Sequence, residues 1–178
     1  RIITNAPDAS GFEAGYDLTT ETVNEGGVGY TAEGFVNLPL GDRAALRLVG
    51  WHDQSAGYID NVAATKTFSR SGITVDNAPY VEEDFNEETT SGARAALQID
   101  LDDNWTLTAR ALHQTQETEG VWDHDPEDVG DLEVERFFND RSEDTFTQLG
   151  ATVEGRIAGM DVTYSGSFLD REVEYDND

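Results

Sequence analysis

Between Gly11 and Glu21 the residues change character at every step: Phe12, Ala14, Tyr16, Leu18 and Thr20 alternate with Glu13, Gly15, Asp17, Thr19 and Glu21. A period of two sends successive side chains to opposite sides of an extended backbone, so this stretch predicts a strand with one apolar face. The pattern returns six times. Tyr30, Ala32, Gly34, Val36 and Leu38 mark a second strand, and Leu46 and Leu48 flank Arg47 in a third that reaches about Asp53. A fourth spans Gly92 to Asp100, a fifth runs from Trp105 to about Glu117, a sixth spans Thr145 to Ile157, and a seventh carries Val162, Tyr164 and Phe168. The expected class is all-β.

The connections narrow the architecture further. Pro39-Leu40-Gly41-Asp42, Asp102-Asp103-Asn104 and Ala158-Gly159 are tight turns after the second, fourth and sixth strands, whereas about 30 residues follow the third and the fifth. Short and long ends therefore alternate. A transmembrane barrel has short turns on its periplasmic side and long loops outside, while a soluble β-sandwich has no reason to segregate its loops. Strands of about 9 to 11 residues, tilted, also suit the apolar layer. We expect an antiparallel up-and-down transmembrane β-barrel, here a partial barrel of about seven strands, with a brief helix near Leu132 to Phe138 inside the second long loop.

The charged strand residues fall on one phase: Arg47, Arg94, Arg110 and Arg156 with Glu13, Asp17, Glu33 and Glu154. An Arg facing lipid at mid-bilayer would cost about 2–4 kcal/mol, so this phase should line the lumen. The chain has a formal charge of −26 and only 37% hydrophobic residues, a composition that by itself suggests disorder; the strict alternation opposes that. The acidity disfavours nucleic acid and anionic surfaces as partners. Absence of cysteine removes disulfides, thiolate metal sites and cysteine nucleophiles.

Motifs that could carry chemistry are incomplete. Asp123, Asp125 and Glu127 place carboxylates at alternate positions, as a calcium loop does, but Asp128 stands where that loop needs Gly and Val134 where it needs Glu. They are the candidate calcium ligands of what otherwise reads as a solvated acidic loop, and we expect no resident metal or cofactor. His52, His113 and His124 are too scattered for a zinc site. No nucleophile elbow or Ser, His, Asp order appears, so an enzyme is not expected. The alternative is a soluble extracellular carbohydrate-binding β-sandwich in which Trp51, Trp105 and Trp122 stack on sugars. Trp105, beside a short turn, instead suits the aromatic girdle of a membrane interface.

Four stretches resemble one family. Arg1-Ile2-Ile3-Thr4-Asn5 looks like the last strand of a plug domain entering a barrel, and Asn37 through Leu48 looks like the first periplasmic turn and the strand leaving it. Gly57-Tyr58-Ile59-Asp60-Asn61 follows, then Asp123-His124-Asp125-Pro126, Gly130-Asp131-Leu132 and Arg136-Phe137. Together these resemble the TonB-dependent outer-membrane receptors, particularly those abundant in sphingomonads and related bacteria. The resemblance implies that residues 1–8 end a plug domain and residues 9–178 supply the N-terminal strands of the barrel. It also implies residence in the bacterial outer membrane, in contact with its lipid. The intact receptor would work with its plug and with TonB to import a scarce nutrient, a ferric siderophore first, otherwise cobalamin or a glycan. Placement at the outer mouth makes Tyr58, Asp60, Trp122, His124 and Arg136 the candidate substrate contacts.

Overall fold

The computed structural model describes residues 4–124 and 126–177, so Arg1-Ile2-Ile3 of the expected plug strand and Asp125 of the candidate calcium ligands lie outside the described residues. The strands in chain order are β1 (Glu13–Thr22), β2 (Val28–Pro39), β3 (Ala44–Ser55), β4 (Asp60–Asn61), β5 (Thr65–Thr67), β6 (Thr74–Asp76), β7 (Glu88–Asp100), β8 (Trp105–Glu119), β9 (Glu133–Val134), β10 (Arg141–Ile157) and β11 (Met160–Asp176). Seven of them form one sheet in the order β1-β2-β3-β7-β8-β10-β11, every neighbouring pair antiparallel. This is the up-and-down order expected from the alternation. The sheet is open, with β1 and β11 at its edges.

Two expectations are corrected. Residues 132–138 form no helix: Leu132 takes a left-handed φ of 58°, which interrupts a right-handed helix, and Glu133–Val134 is the strand β9. The second long loop spans 120–140, shorter than expected, because β8 and β10 stay paired as far as Arg141↔Glu119. Those last rungs are polar on both faces, so no apolar alternation announces them.

The registers assign every strand residue to a face. Glu13, Asn37, Arg47, Ala96, Arg110, Gly150 and Ser167 lie in one row across the sheet, so they share a side. Arg94, Arg156, Asp17, Glu33 and Glu154 fall on that same side by alternation. The opposite side carries Tyr16, Leu18, Leu46, Leu48, Leu97, Leu107, Leu149, Val153, Tyr164 and Phe168. Beyond Phe168 the pattern reverses: Asp170, Glu172 and Glu174 take the otherwise apolar side, and Leu169, Val173 and Tyr175 the polar one.

Burial is inverted relative to a soluble sheet. Gly29, Asn37, Ala45, Arg47, Ala96 and Thr108 are the buried residues of the seven strands, and all lie on the polar side. Tyr16, Leu18, Met160, Tyr164 and Phe168, on the apolar side, are exposed, Tyr16 at 83%. The leading segment bonded to Asn37 covers part of the polar side and contributes to this asymmetry.

The chain reaches β1 along that polar face. Asn37, fully buried, clamps the leading segment: its Oδ1 accepts from the Asp8 N–H at 3.0 Å, and its Nδ2 donates to the carbonyls of Asp8 and Gly11, each at 2.8 Å. The Ser10 N–H donates to Asp8 Oδ1 at 2.7 Å and holds that carboxyl below its usual range. At the short-turn end, Ala158 and Gly159 both take positive φ, 51° and 78°, and close a two-residue hairpin between Ile157 and Met160. This is the twist a two-residue turn needs.

Candidate functional site: the folded long loops

The two long connections, 56–87 and 120–140, leave the same end of the sheet and fold on each other. β4 and β9 pair in parallel, Asp60 with Glu133 and Asn61 with Val134. Around that pair Ile59, Phe85 and Val134 form a small core, with Tyr58 and Val121 packed against it. Backbone hydrogen bonds from Asp60 N to Leu132 O and from Val62 N to Val134 O, each 2.9 Å, complete the junction.

Buried asparagines organise the rest. Asn61 Nδ2 donates to the carbonyls of Tyr80 (2.6 Å) and Arg136 (3.1 Å), while its Oδ1 accepts from the Arg136 N–H at 2.7 Å. Asn77 accepts from Ala64 N–H at 2.7 Å and donates to the carbonyls of Val62 and Arg136. Asn86 Oδ1 accepts from both Tyr58 and Ile59 N–H, at 2.7 and 2.8 Å. Irregular backbone buried in a loop must find hydrogen-bond partners, and a primary amide supplies donor and acceptor at once. The loops are therefore a built module with its own core.

The five candidate contacts divide over this module. His124 and Arg136 line one shallow cavity of about 400 Å³ together with Asp123, Asp128 and Glu135. His124 Nε2 lies 3.4 Å from Asp131 Oδ1, and Arg136 Nε is 3.2 Å from Asp140 Oδ2 and its Nη2 4.0 Å from Asp123 Oδ1. Trp122, 59% exposed, lines the neighbouring groove with Arg141 and Tyr175. Tyr58 packs on the module's core, and Asp60 Oδ1 accepts from the Asp84 N–H at 2.8 Å, so both have structural work away from that cavity. Asp123 belongs to the cavity, Glu127 does not line it, and among the described residues no group of three or more His, Asp or Glu is disposed to hold a metal.

The three tryptophans of the sugar-binding alternative share no surface. Trp51 lies on the polar side of β3 over Gly92, Trp105 on the apolar side of β8 over Gly155, and Trp122 in the loop module. Comparison with protein-family models, with curated proteins and with solved structures finds no match for this chain.

Proposed function

We propose that this chain is wall and outer loops of an outer-membrane β-barrel receptor of the TonB-dependent kind, a nutrient importer and not an enzyme. One observation carries the reading: the exposed apolar side chains of the seven strands, apart from Leu169, Val173 and Tyr175 at the far end of β11, form a band on a single face, anchored at the short-turn end. β8 begins two residues lower than β3 across the registers, and β11 two lower than β8. If the short turns lie in one plane, that stagger corresponds to strands tilted by about 35°, at about 3.3 Å per residue and 4.8 Å per strand, within the usual range for barrels.

The lower edge of the band follows that stagger, while its upper edge is level across β8, β10 and β11. It covers Tyr30 to Leu38 on β2, Trp105 to Ala111 on β8, Leu149 to Ile157 on β10 and Met160 to Phe168 on β11. Seven to nine tilted residues rise roughly 20–25 Å, about the height of a barrel's lipid-facing belt. Above it the same face turns polar, with His52 bonded to Tyr30 Oη and to Ser91 Oγ, each at 3.1 Å. Leaving each large side chain of such a band in water forgoes roughly 1.5–3 kcal/mol, whereas lipid removes the penalty. A sandwich would have to cover the band with a second sheet, and among the described residues none packs there.

In this reading residues 1–8 close a plug domain and residues 9–178 begin the barrel, with lipid outside, and with the plug and TonB as partners of the intact receptor. The loop module would help to capture the nutrient, a ferric siderophore before cobalamin or a glycan. Because the chain has no cysteine, single cysteines make unique labels. Spin labels at Leu107 and Tyr164 should be reached by oxygen dissolved in lipid and shielded from a water-soluble nickel chelate, and labels at Arg110 and Thr163, exposed on the polar side, should show the reverse. Equal access of the chelate to all four positions would discard the membrane reading.

A further inference from the structure

A cavity of about 360 Å³ opens on the polar face of β1, β2, β3 and β7, and its two walls carry opposite charge. On one wall stand Arg47 and Arg94. Arg47 is 6% exposed, its guanidinium lies 4.0 Å from the centroid of the Phe35 ring, and its Nε is buried with no hydrogen-bond partner among the described residues. Its ion pair with Glu13 is loose, at 3.4 Å. Arg94 Nη1 is likewise buried without a partner. Arg110 adds a third positive charge nearby, since Arg47 and Arg110 flank Ala96 in one row and Arg94 is two residues along β7 from that alanine.

On the other wall Asp17 and Glu33 lie directly opposite each other across β1 and β2, a like-charge pair that disfavours the bare state. Both are exposed. Phe35 and Val49, directly opposite each other between the two charged walls, supply apolar surface. Burying a guanidinium costs several kcal/mol, and Arg47 has only the loose Glu13 pair to offset it, while Arg94 has no ion pair among the described residues of a chain with 37 acidic residues. The arrangement could take up a further carboxylate on one side and a cation on the other.

We propose that this cavity binds a small zwitterion, an α-amino acid or the like, with its carboxylate on Arg94 and Arg47, its ammonium between Asp17 and Glu33, and its side chain on Phe35 and Val49. A free anion fits less well, because the field of a chain of charge −26 repels it at long range, whereas a molecule of no net charge meets no such barrier. The cavity is of the size that small ligands use. This assignment stands apart from the membrane reading, since the cavity lies on the polar face whatever covers the other.

Trp51 sits directly opposite Glu33 on β3 and provides the signal. The whole chain in detergent solution, titrated with L-phenylalanine, should show a saturable change in tryptophan fluorescence. Arg94→Gln should abolish it, and the double variant Asp17→Asn with Glu33→Gln, at exposed positions that folding tolerates, should weaken it at least tenfold. Phenethylamine and 3-phenylpropionate, each lacking one charged group, should bind at least tenfold more weakly than L-phenylalanine. The proposal is overturned by the absence of a saturable change, by a change unaffected in Arg94→Gln, or by 3-phenylpropionate binding as well as L-phenylalanine and indifferently to the double variant. The last result would mean a plain anion site.

Discussion

Asn61 and Arg136 are 75 residues apart in sequence, yet the Asn61 amide bonds both backbone groups of Arg136, accepting from its N–H at 2.7 Å and donating to its carbonyl at 3.1 Å. One side chain thus stands in for a strand at the place where the two loops meet. Asn61→Ala should leave these groups unsatisfied in a 2% exposed position and cost roughly 2–4 kcal/mol locally. Hydrogen exchange at Arg136 and Val62 N–H should then rise together while β7 and β8 stay protected. Unchanged exchange at both would mean the loops are held by the Ile59, Phe85 and Val134 contact alone.

The seven long strands were legible because a half-exposed sheet imposes period two on residues such as Ala93, Ala95, Leu97 and Ile99, and because turn residues at 40–43 and 101–104 bracket them. Their outer ends were not, since Glu117 to Glu119 and Arg141 to Asp144 are polar on both faces. Of the candidate site, sequence placed His124 and Arg136 in one long loop and the structure brings them to one cavity. The work done by Asn61, Asn77 and Asn86 was hidden. An asparagine that bonds backbone 59 or 75 residues away leaves no local pattern, and β9 is too short to show any period.

The hairpin joining β10 and β11 places Ala158 at φ 51°, where a Cβ without a local hydrogen bond is disfavoured. Asn tolerates that region and is the common first residue of this turn. Ala158→Asn should therefore raise stability by about 0.5–1 kcal/mol, read as a higher denaturant midpoint at constant slope. A fall in the midpoint would show that the turn is not adopting the two-residue form.

Above the apolar band three carboxylates face one another: Glu143 lies directly opposite Glu117 on β8 and Glu174 on β11. Like charges in a cross-strand row repel, and a lysine at the centre would meet two partners. Glu143→Lys should stabilise by about 0.5–1 kcal/mol at low ionic strength, with the gain shrinking as salt is raised. A gain that persists at high salt would assign the effect to strand propensity and not to charge.

Trp122 and Arg136 separate binding from folding within the loop module. Trp122 is 59% exposed, and its removal should change stability by less than about 0.5 kcal/mol. Arg136 faces Asp140, whose side chain is only 5% exposed, at 3.2 Å. Arg136→Ala removes the cation from a mostly buried carboxylate, so it should destabilise the module by about 2–4 kcal/mol and is a poor probe of ligand contact. The informative variant is Trp122→Ala with His124→Ala. Under the receptor function proposed above, cells carrying the intact protein with this variant should capture ferric siderophores, cobalamin or glycans from a defined panel at least tenfold less well than the parent, with the same amount of protein in the outer membrane. Capture at the parent's level would remove the cavity beside Asp123 from the recognition surface and leave Trp122 as an exposed ring with no part in it.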